Sequence, residues 1–204
     1  MRAYPSIAAL ALAVGMCPSA AGAATFLYGG LANGLQEVPP NDSPGSGFAT
    51  ITYDDVLHSL RVEVSFTDLL SPTVAAHIHV PLTAGTNGPV ATMVPTFAGF
   101  PLGVTSGTYD QTFDLTQAAS FNPTFITNNG GTTASAEAAL ALGLSDGLAY
   151  LNVHTSLFPG GEIRVNLAAQ TVAVPEPASW ALMIGGFALA GGALRRRRVR
   201  LIPA

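Results

Sequence analysis

The sequence has no lysine and almost no cysteine. Its single cysteine, Cys17, lies in a leader that is predicted below to be removed, so the mature chain carries no thiol. This excludes disulfides, thiol catalysis and thiolate metal ligands in the mature protein. Between residues 24 and 175, eleven acidic residues face only two arginines, which leaves a net charge of −9. Because such a surface repels phosphate backbones, nucleic-acid binding is not expected.

Two kinds of catalytic motif are also missing. The glycine-rich pieces of the sequence do not form the strand, glycine turn and helix of a phosphate cradle. No grouping of serine, histidine and aspartate resembles a nucleophile elbow. The sequence therefore predicts a protein that is not an enzyme.

The first 23 residues have the features of a signal peptide. Arg2 gives a minimal positive start, residues 7–16 form an apolar stretch, and Ala21-Gly22-Ala23 matches a small-residue cleavage site. We expect cleavage after Ala23, so that the mature chain begins at Ala24 and is exported.

The end of the chain carries an apolar run that is closed by arginines. Residues 180–194 contain no charge, and a basic cluster follows at Arg195, Arg196, Arg197 and Arg198. At ~1.5 Å per helical residue the run reaches about 22 Å, and snorkelling arginines would extend it toward a ~30 Å hydrocarbon core. Because arginine clusters stay on the cytoplasmic side of a bilayer, residues 180–194 are predicted to be a transmembrane helix and residues 195–204 a basic cytoplasmic tail.

A short motif with a proline on each side of an acidic residue precedes the apolar run. It lies within residues 171–179, which we interpret as a tether. The motif is Pro175-Glu176-Pro177, and with the apolar run and the basic cluster it makes three parts in a fixed order. This tail resembles the PEP-CTERM sorting signal of bacteria. The resemblance implies processing by an exosortase, a membrane-embedded protease-transpeptidase. We expect an inner-membrane intermediate and a final place at the cell surface or outside the cell.

Residues 24–170 form one domain with a pattern that is mostly typical of strands. Residues 60–66 alternate cleanly between apolar and polar side chains. Strands are predicted at 48–53, 60–66, 74–80, 90–94, 109–115, 148–154 and 162–168, and short helices at 117–121 and 135–142. Many short strands with turns between them favour an antiparallel Greek-key sandwich or barrel with short helical insertions.

Three stretches of this domain bring a second resemblance. They are residues 31–40 (LANGLQEVPP), residues 76–79 (AHIH), and residues 150–164, which contain YLNVHT and PGGEIR. In this order they look like the CHRD domain, first described in the secreted protein chordin, and the resemblance spans residues 26–168. It implies a secreted context and a β fold, but no established reaction.

Three of the four histidines lie within these stretches. His77 and His79 are two residues apart on a predicted strand, so both imidazoles point to one face, roughly 6.5–7 Å apart at the backbone. His154 ends another predicted strand. If the two strands are neighbours, the three side chains converge on one ion, and nitrogen ligands without a thiolate suit copper or zinc. Glu162 is a candidate fourth ligand, or a partner that fixes a histidine tautomer.

The same histidine spacing is similar to part of another family. A His-x-His strand and a later Val-His at a strand end resemble three copper ligands of Cu/Zn superoxide dismutase. Arg164 follows at a distance similar to that of the arginine that lines the copper channel of that enzyme. The sequence has no bridging histidine, no zinc-loop ligands and no disulfide cysteines. The resemblance therefore implies a superoxide-dismutase-like fold, while dismutase activity is only a secondary hypothesis.

A structural role for these residues is the alternative. Histidines on a polar strand face can hydrogen-bond to their neighbours. Glu162 and Arg164 can form a cross-strand network that holds the hairpin around Gly160 and Gly161. His58, at a turn, is expected at the surface.

Two functions follow from these interpretations. The first is a non-enzymatic module at the cell surface or in the extracellular matrix that binds a protein, a glycan or an exopolysaccharide. The second is an exported metalloprotein that binds copper or zinc through the His-x-His pair and His154, with redox activity as a further option.

Overall fold

The structure, a computed structural model, describes residues 25–170 and 177–198. The first range is a mainly β domain with two short helices, and the second is a separate stretch of helix. The strands are β1 Thr25–Asn33, β2 Ser46–Asp54, β3 Ser59–Thr67, β4 Thr73–His79, β5 Gly107–Asp114, β6 Tyr150–Thr155, β7 Ile163–Asn166 and β8 Ala168–Ala169. The helices are α1 Pro123–Asn128, α2 Thr133–Ser145 and α3 Pro177–Arg198.

All eight strands belong to one antiparallel sheet that curls into a half-barrel. The order across the sheet is β4-β6-β7-β1-β2-β3-β5, and β8 pairs with β1. β4 and β5 are therefore the two end strands of the sheet. The prediction of a mainly β, antiparallel domain with short helices is confirmed, whereas the Greek-key connection stays a prediction.

The alternation of β3 places its apolar side chains in the core. Its inward side chains are almost fully buried, and they are the four residues that the pattern predicts: Leu60, Val62, Val64 and Phe66. Each such side chain stabilises the fold by roughly 1.5–3 kcal/mol relative to leaving it in water. β2 pairs with β3 over the full length of both strands, from Ser46 opposite Thr67 to Asp54 opposite Ser59.

The strand β1 has no alternating pattern and was not predicted. It pairs with β2 over nine positions, from Thr25 opposite Asp54 to Asn33 opposite Ser46. A Cβ on Gly29 would collide with the carbonyl oxygen of Ala49, so this glycine lets the two backbones approach closely. Glycine is required at position 29 because the backbone of β2 occupies the position of a side chain. The sequence alone does not show how close the two strands lie, so it did not predict β1.

The free edge of β4 is covered by residues 88–104, which we call the edge segment. The predicted strand at 90–94 is wrong, since only isolated bridges occur there, at Val90 and Thr92. The segment instead hydrogen-bonds along the β4 backbone at four places, through Pro89 to Val80, Ala91 to Ile78, Phe97 to Ala76 and Gly103 to Thr73. A covered edge cannot pair with a strand of another chain.

The helix α2 fills the half-barrel from one side. A capping box between Thr132 and Ser135 starts it, and Leu140 and Leu144 enter the core. The predicted helix at 135–142 is therefore confirmed and is longer than expected. The predicted helix at 117–121 is reduced to a 3-10 turn at Ala118–Ser120, and α1 was not predicted.

The helix α3 covers the predicted apolar run of the tail. It begins at Pro177 and ends at Arg198. Pro175 and Glu176 lie outside the described residues, as does the predicted signal peptide at 1–23. In the part of the chain that the structure describes, no helix has both the length and the apolarity for crossing a bilayer, so the predicted transmembrane segment is not supported.

Candidate metal centre

The pairing of β4 with β6 brings the three histidines of the predicted site together. In this register His77 lies opposite Asn152, His79 opposite Tyr150, and Ala75 opposite His154. The sequence hypothesis required these two strands to be neighbours, and the structure meets that condition. The histidines also share one face with Tyr150 and Asn152, because alternate residues of a strand point to the same side.

The three imidazoles are close enough to share one ion. One nitrogen from each of His77, His79 and His154 lies within 4.8 Å of the other two. The shortest separation is 3.2 Å, between Nδ1 of His77 and Nε2 of His154. Two nitrogens bound to zinc at about 2.0–2.1 Å in a tetrahedron lie roughly 3.3–3.4 Å apart, so this pair already has a ligand-like spacing.

Each imidazole uses its other nitrogen for a backbone carbonyl. Nε2 of His77 lies 2.6 Å from the oxygen of Pro95, and Nδ1 of His79 lies 2.9 Å from that of Gly88. Nδ1 of His154 lies 3.0 Å from the oxygen of Pro159. A carbonyl oxygen only accepts, so these three nitrogens carry the hydrogens. In the neutral rings, the nitrogens that face one another then carry no hydrogen and present their lone pairs. This is the tautomer that a metal ligand needs.

Burial keeps these rings neutral. The three histidines are only 7–8% exposed. Burial lowers the pKa of His79 and of His154 to about 4, and it lowers the pKa of His77 as well. Nε2 of His79 has no hydrogen-bond partner among the described residues although it is buried. An unpaired buried nitrogen is costly, so it calls for an explanation.

A stack of three side chains supports one side of this site. The ring of Tyr150 lies parallel to that of His79, with centroids 4.7 Å apart. The guanidinium carbon of Arg164 lies 3.4 Å above the centre of the Tyr150 ring. Arg164 is 1% exposed, and its hydrogen-bond acceptors are neutral: Asn166, Asn87 and the carbonyl of Thr86. Burial lowers the pKa of Arg164. Arg164 is thus buried and contacts the histidine site indirectly, through the Tyr150 ring that stacks on His79.

Glu162 does not belong to the group of converging ligand atoms. One carboxylate oxygen accepts from the Ser43 hydroxyl and the Leu70 N–H, each at 2.6 Å, and the other accepts from the Thr155 hydroxyl at 2.6 Å. The assignment of Glu162 as a fourth ligand is therefore corrected, because its oxygens already tie three segments together. The expected contact with Arg164 is also not formed between these two described residues.

The hairpin glycines have different roles. Gly161 has a φ of +130°, and a Cβ there would collide with the side-chain amide of Asn152. Gly160 has open space around the position of a Cβ. Only Gly161 is therefore required by its surroundings.

A buried pair beside the histidines was missed by the sequence interpretation. The side-chain nitrogen of Asn152 lies 3.1 Å from both carboxylate oxygens of Glu37. Burial raises the pKa of Glu37 to about 7 although this hydrogen bond opposes the shift. Glu37 also lines a surface pocket of about 360 Å³ together with Pro39, Phe158 and other residues. The position of Glu37 in the family-like stretch 31–40 was the one feature of the sequence that could have pointed to this residue.

His58 lies apart from this site, as the sequence indicates. Its side chain is half exposed, and Nδ1 lies 3.0 Å from both oxygens of Glu137. Glu137 also accepts a hydrogen bond of 3.0 Å from the Tyr53 hydroxyl. His58 therefore anchors α2 to the turn before β3.

Comparison with known proteins supports two of the three resemblances found in the sequence, and the superoxide-dismutase-like fold stays a prediction. The family model of the PEP-CTERM protein-sorting motif matches residues 173–198. This motif marks the chain for export to the cell envelope or surface and for processing by an exosortase. Neither the comparison with curated proteins nor that with solved structures gave a match. The family model of the CHRD domain matches residues 30–167, which include all three histidines of the site, and the chain therefore belongs to the CHRD-domain family.

Proposed function

We propose that this exported protein is a metal-binding module that holds one copper or zinc ion on His77, His79 and His154. One observation supports the proposal most strongly. Nδ1 of His77 and Nε2 of His154 face each other at 3.2 Å, and the backbone carbonyls of Pro95 and Pro159 take the hydrogens of both rings. Two lone pairs at this distance repel each other, unless a cation lies between them.

A proton is the competing cation. It would convert one ring to an imidazolium that donates to the other ring. Burial opposes this, since it lowers the pKa of all three histidines, to about 4 for His79 and His154. A shared proton would also leave Nε2 of His79 without a partner. A metal ion between the three nitrogens satisfies all of them at once.

The chemistry of the donors favours copper and zinc over other ions. Imidazole nitrogens suit both metals, and sites of this kind bind divalent copper more tightly than divalent zinc. A bound copper ion would supply one-electron chemistry, and a bound zinc ion would act as a Lewis acid. The chain itself orients the rings through three backbone carbonyls and excludes water from their faces.

The test is a metal titration of the purified protein. Wild-type protein should bind one equivalent of copper(II) or zinc, measured by calorimetry and by competition with a chromophoric chelator. His77→Ala, His79→Ala and His154→Ala should each abolish stoichiometric binding, and His58→Ala is the matched control that should bind like wild type. Equal affinity in wild type and in any one of the three variants would remove that histidine from the site. Absence of binding by the folded wild-type protein would refute the proposal.

The non-enzymatic character of the protein stays a prediction, as does binding of an extracellular protein, a glycan or an exopolysaccharide. Display at the cell surface is compatible both with metal binding and with binding of such an extracellular partner. The metal site is the better supported function, because it accounts for the convergence of three imidazole nitrogens and for Nε2 of His79, which has no partner among the described residues.

A further inference from the structure

Two buried side-chain atoms of the described residues have no hydrogen-bond partner, and both lie at the same site. One is Nε2 of His79 and the other is the carboxamide oxygen, Oδ1, of Asn152. The proposed ion accounts for the first. Leaving a buried amide oxygen unpaired is destabilising, so the second atom also calls for a partner.

Asn152 is placed beside the metal ligands by the sheet. It lies opposite His77 in the β4–β6 pairing and two residues before His154 on the same face of β6. Cross-strand partners have Cβ atoms about 4.5–5.5 Å apart, so the side chains of Asn152 and His77 are direct neighbours.

The orientation of the Asn152 amide is fixed by its surroundings. Its nitrogen donates to both carboxylate oxygens of Glu37, which turns the amide oxygen away from that carboxylate. Gly161 packs against the same amide, and any side chain there would displace it. Glu37 is only 5% exposed, and burying a carboxyl costs free energy. A costly buried carboxyl that holds one amide in place is a positioning device.

We propose that Oδ1 of Asn152 is the fourth donor to the ion, and that Glu37 and Gly161 hold it in position. The inference rests on the proposed metal site and extends it from three nitrogens to three nitrogens and one oxygen. A neutral oxygen donor fits both candidate metals, since zinc and divalent copper accept nitrogen and oxygen ligands. It also leaves no buried polar side-chain atom of this cluster unpaired.

The experiment measures zinc affinity and the visible spectrum of the cobalt(II)-substituted protein. Asn152→Leu removes the oxygen at nearly constant volume, and it should weaken zinc binding about 10–100-fold and alter the cobalt spectrum. The exchanged pair Glu37→Gln with Asn152→Asp keeps one amide and one carboxylate in contact, but it presents a carboxylate oxygen to the ion. It should bind zinc at least as tightly as wild type and change the cobalt spectrum, whereas a merely structural role of the pair would leave that spectrum unchanged.

The outcomes separate this inference from the proposed function. If wild-type protein binds zinc and Asn152→Leu binds it within about twofold with the same cobalt spectrum, the oxygen donor is refuted while the histidine site stands. If Asn152→Leu does not fold by circular dichroism, the exchanged pair decides, and a cobalt spectrum identical to wild type refutes the inference. Wild-type protein that binds no metal refutes the proposed function itself.

Discussion

The two halves of the sheet, β2-β3-β5 and β4-β6-β7, differ in which kinds of side chain they bury. β3 alternates between buried apolar and outward polar residues, and β5 is mostly exposed. Every residue of β6 is buried, as are the last four residues of β4, and several of these are polar. Burying polar groups costs free energy unless each finds a partner. Both halves bury apolar side chains in the core, but the half with β4, β6 and β7 also buries the polar groups of the candidate site.

The two arginines of the domain show this contrast directly. Arg61, on β3, is largely exposed and makes two charged hydrogen bonds to Asp110, at 2.8 and 2.7 Å, and an ion pair with Glu63. Arg164, on β7, is buried against the Tyr150 ring, and among the described residues no carboxylate lies within salt-bridge distance of it. Solvent supports the first charge, whereas neutral oxygens and an aromatic face support the second.

The largest effect is expected from removing the buried carboxylate of Glu162. Glu162→Ala leaves the donors of Ser43, Leu70 and Thr155 without their acceptor, which should lower the free energy of unfolding by about 3–6 kcal/mol. Asp110→Ala, which removes the exposed acid in the other half, should change the free energy of unfolding far less, because exposed ion pairs contribute little. Urea unfolding followed by circular dichroism measures both, and equal losses would contradict the contrast between the halves.

A smaller difference is expected between the two arginines. Arg164→Met keeps most of the apolar length but leaves Asn87, Asn166 and the Tyr150 face without the cation, so we expect a loss of about 2–3 kcal/mol. Arg61→Met should lower the free energy of unfolding much less, since exposed ion pairs contribute little. The loss for Arg61→Met should shrink further in 1 M salt, whereas that for Arg164→Met should persist because buried charges are poorly screened.

The smallest expected effect is a pH dependence with two opposing parts, measured on metal-free protein. His79 and His154 have pKa values of about 4 when folded and 6.5 when unfolded, so stability falls as the pH drops from 6.5 toward 4. Glu37 has a folded pKa of about 7 against 4.5 unfolded, so its contribution is present below pH 4.5 and is lost as the pH rises through 7. Glu37→Gln removes this second part.

The acid loss between pH 6.5 and 4.5 should therefore be steeper in Glu37→Gln than in wild type, by on the order of 1–2 kcal/mol. Urea titrations at both pH values in the presence of a chelator provide the comparison. Parallel curves for the two proteins would show that Glu37 does not oppose the histidines.

The same contrast explains which elements the sequence predicts. β3 faces the core with one side and water with the other, so its period-two pattern is visible, and the predicted strand at 60–66 matches Ser59–Thr67. β1 contains Gly29, where the close Ala49 backbone leaves no room for a side chain, and no alternating pattern marks the strand. The predicted strand at 90–94 is apolar because it covers β4, and it lacks a ladder of its own.

The sequence spacing predicts that two of the three histidines of the candidate site lie together, whereas the arrival of the third depends on the tertiary structure. His77 and His79 share a face by strand geometry alone, and that prediction needs no partner. The pairing of β4 with β6, which brings in His154, joins residues more than seventy positions apart in the chain. Glu162 was a candidate fourth ligand or tautomer-fixing partner, but its oxygens accept hydrogen bonds from Ser43, Leu70 and Thr155. Asn152 was not considered because a neutral amide gives no charge signal.

The edge segment links the site to the behaviour of the protein at high concentration. Its first residue, Gly88, and its Pro95 provide the carbonyls that fix the tautomers of His79 and His77, while its other contacts cover the open side of β4. If the segment detaches, the ring nitrogens lose their orientation, and the β4 backbone becomes free to join a foreign strand. Oligomers that grow through this edge should therefore be poor in metal, and copper or zinc should delay their growth.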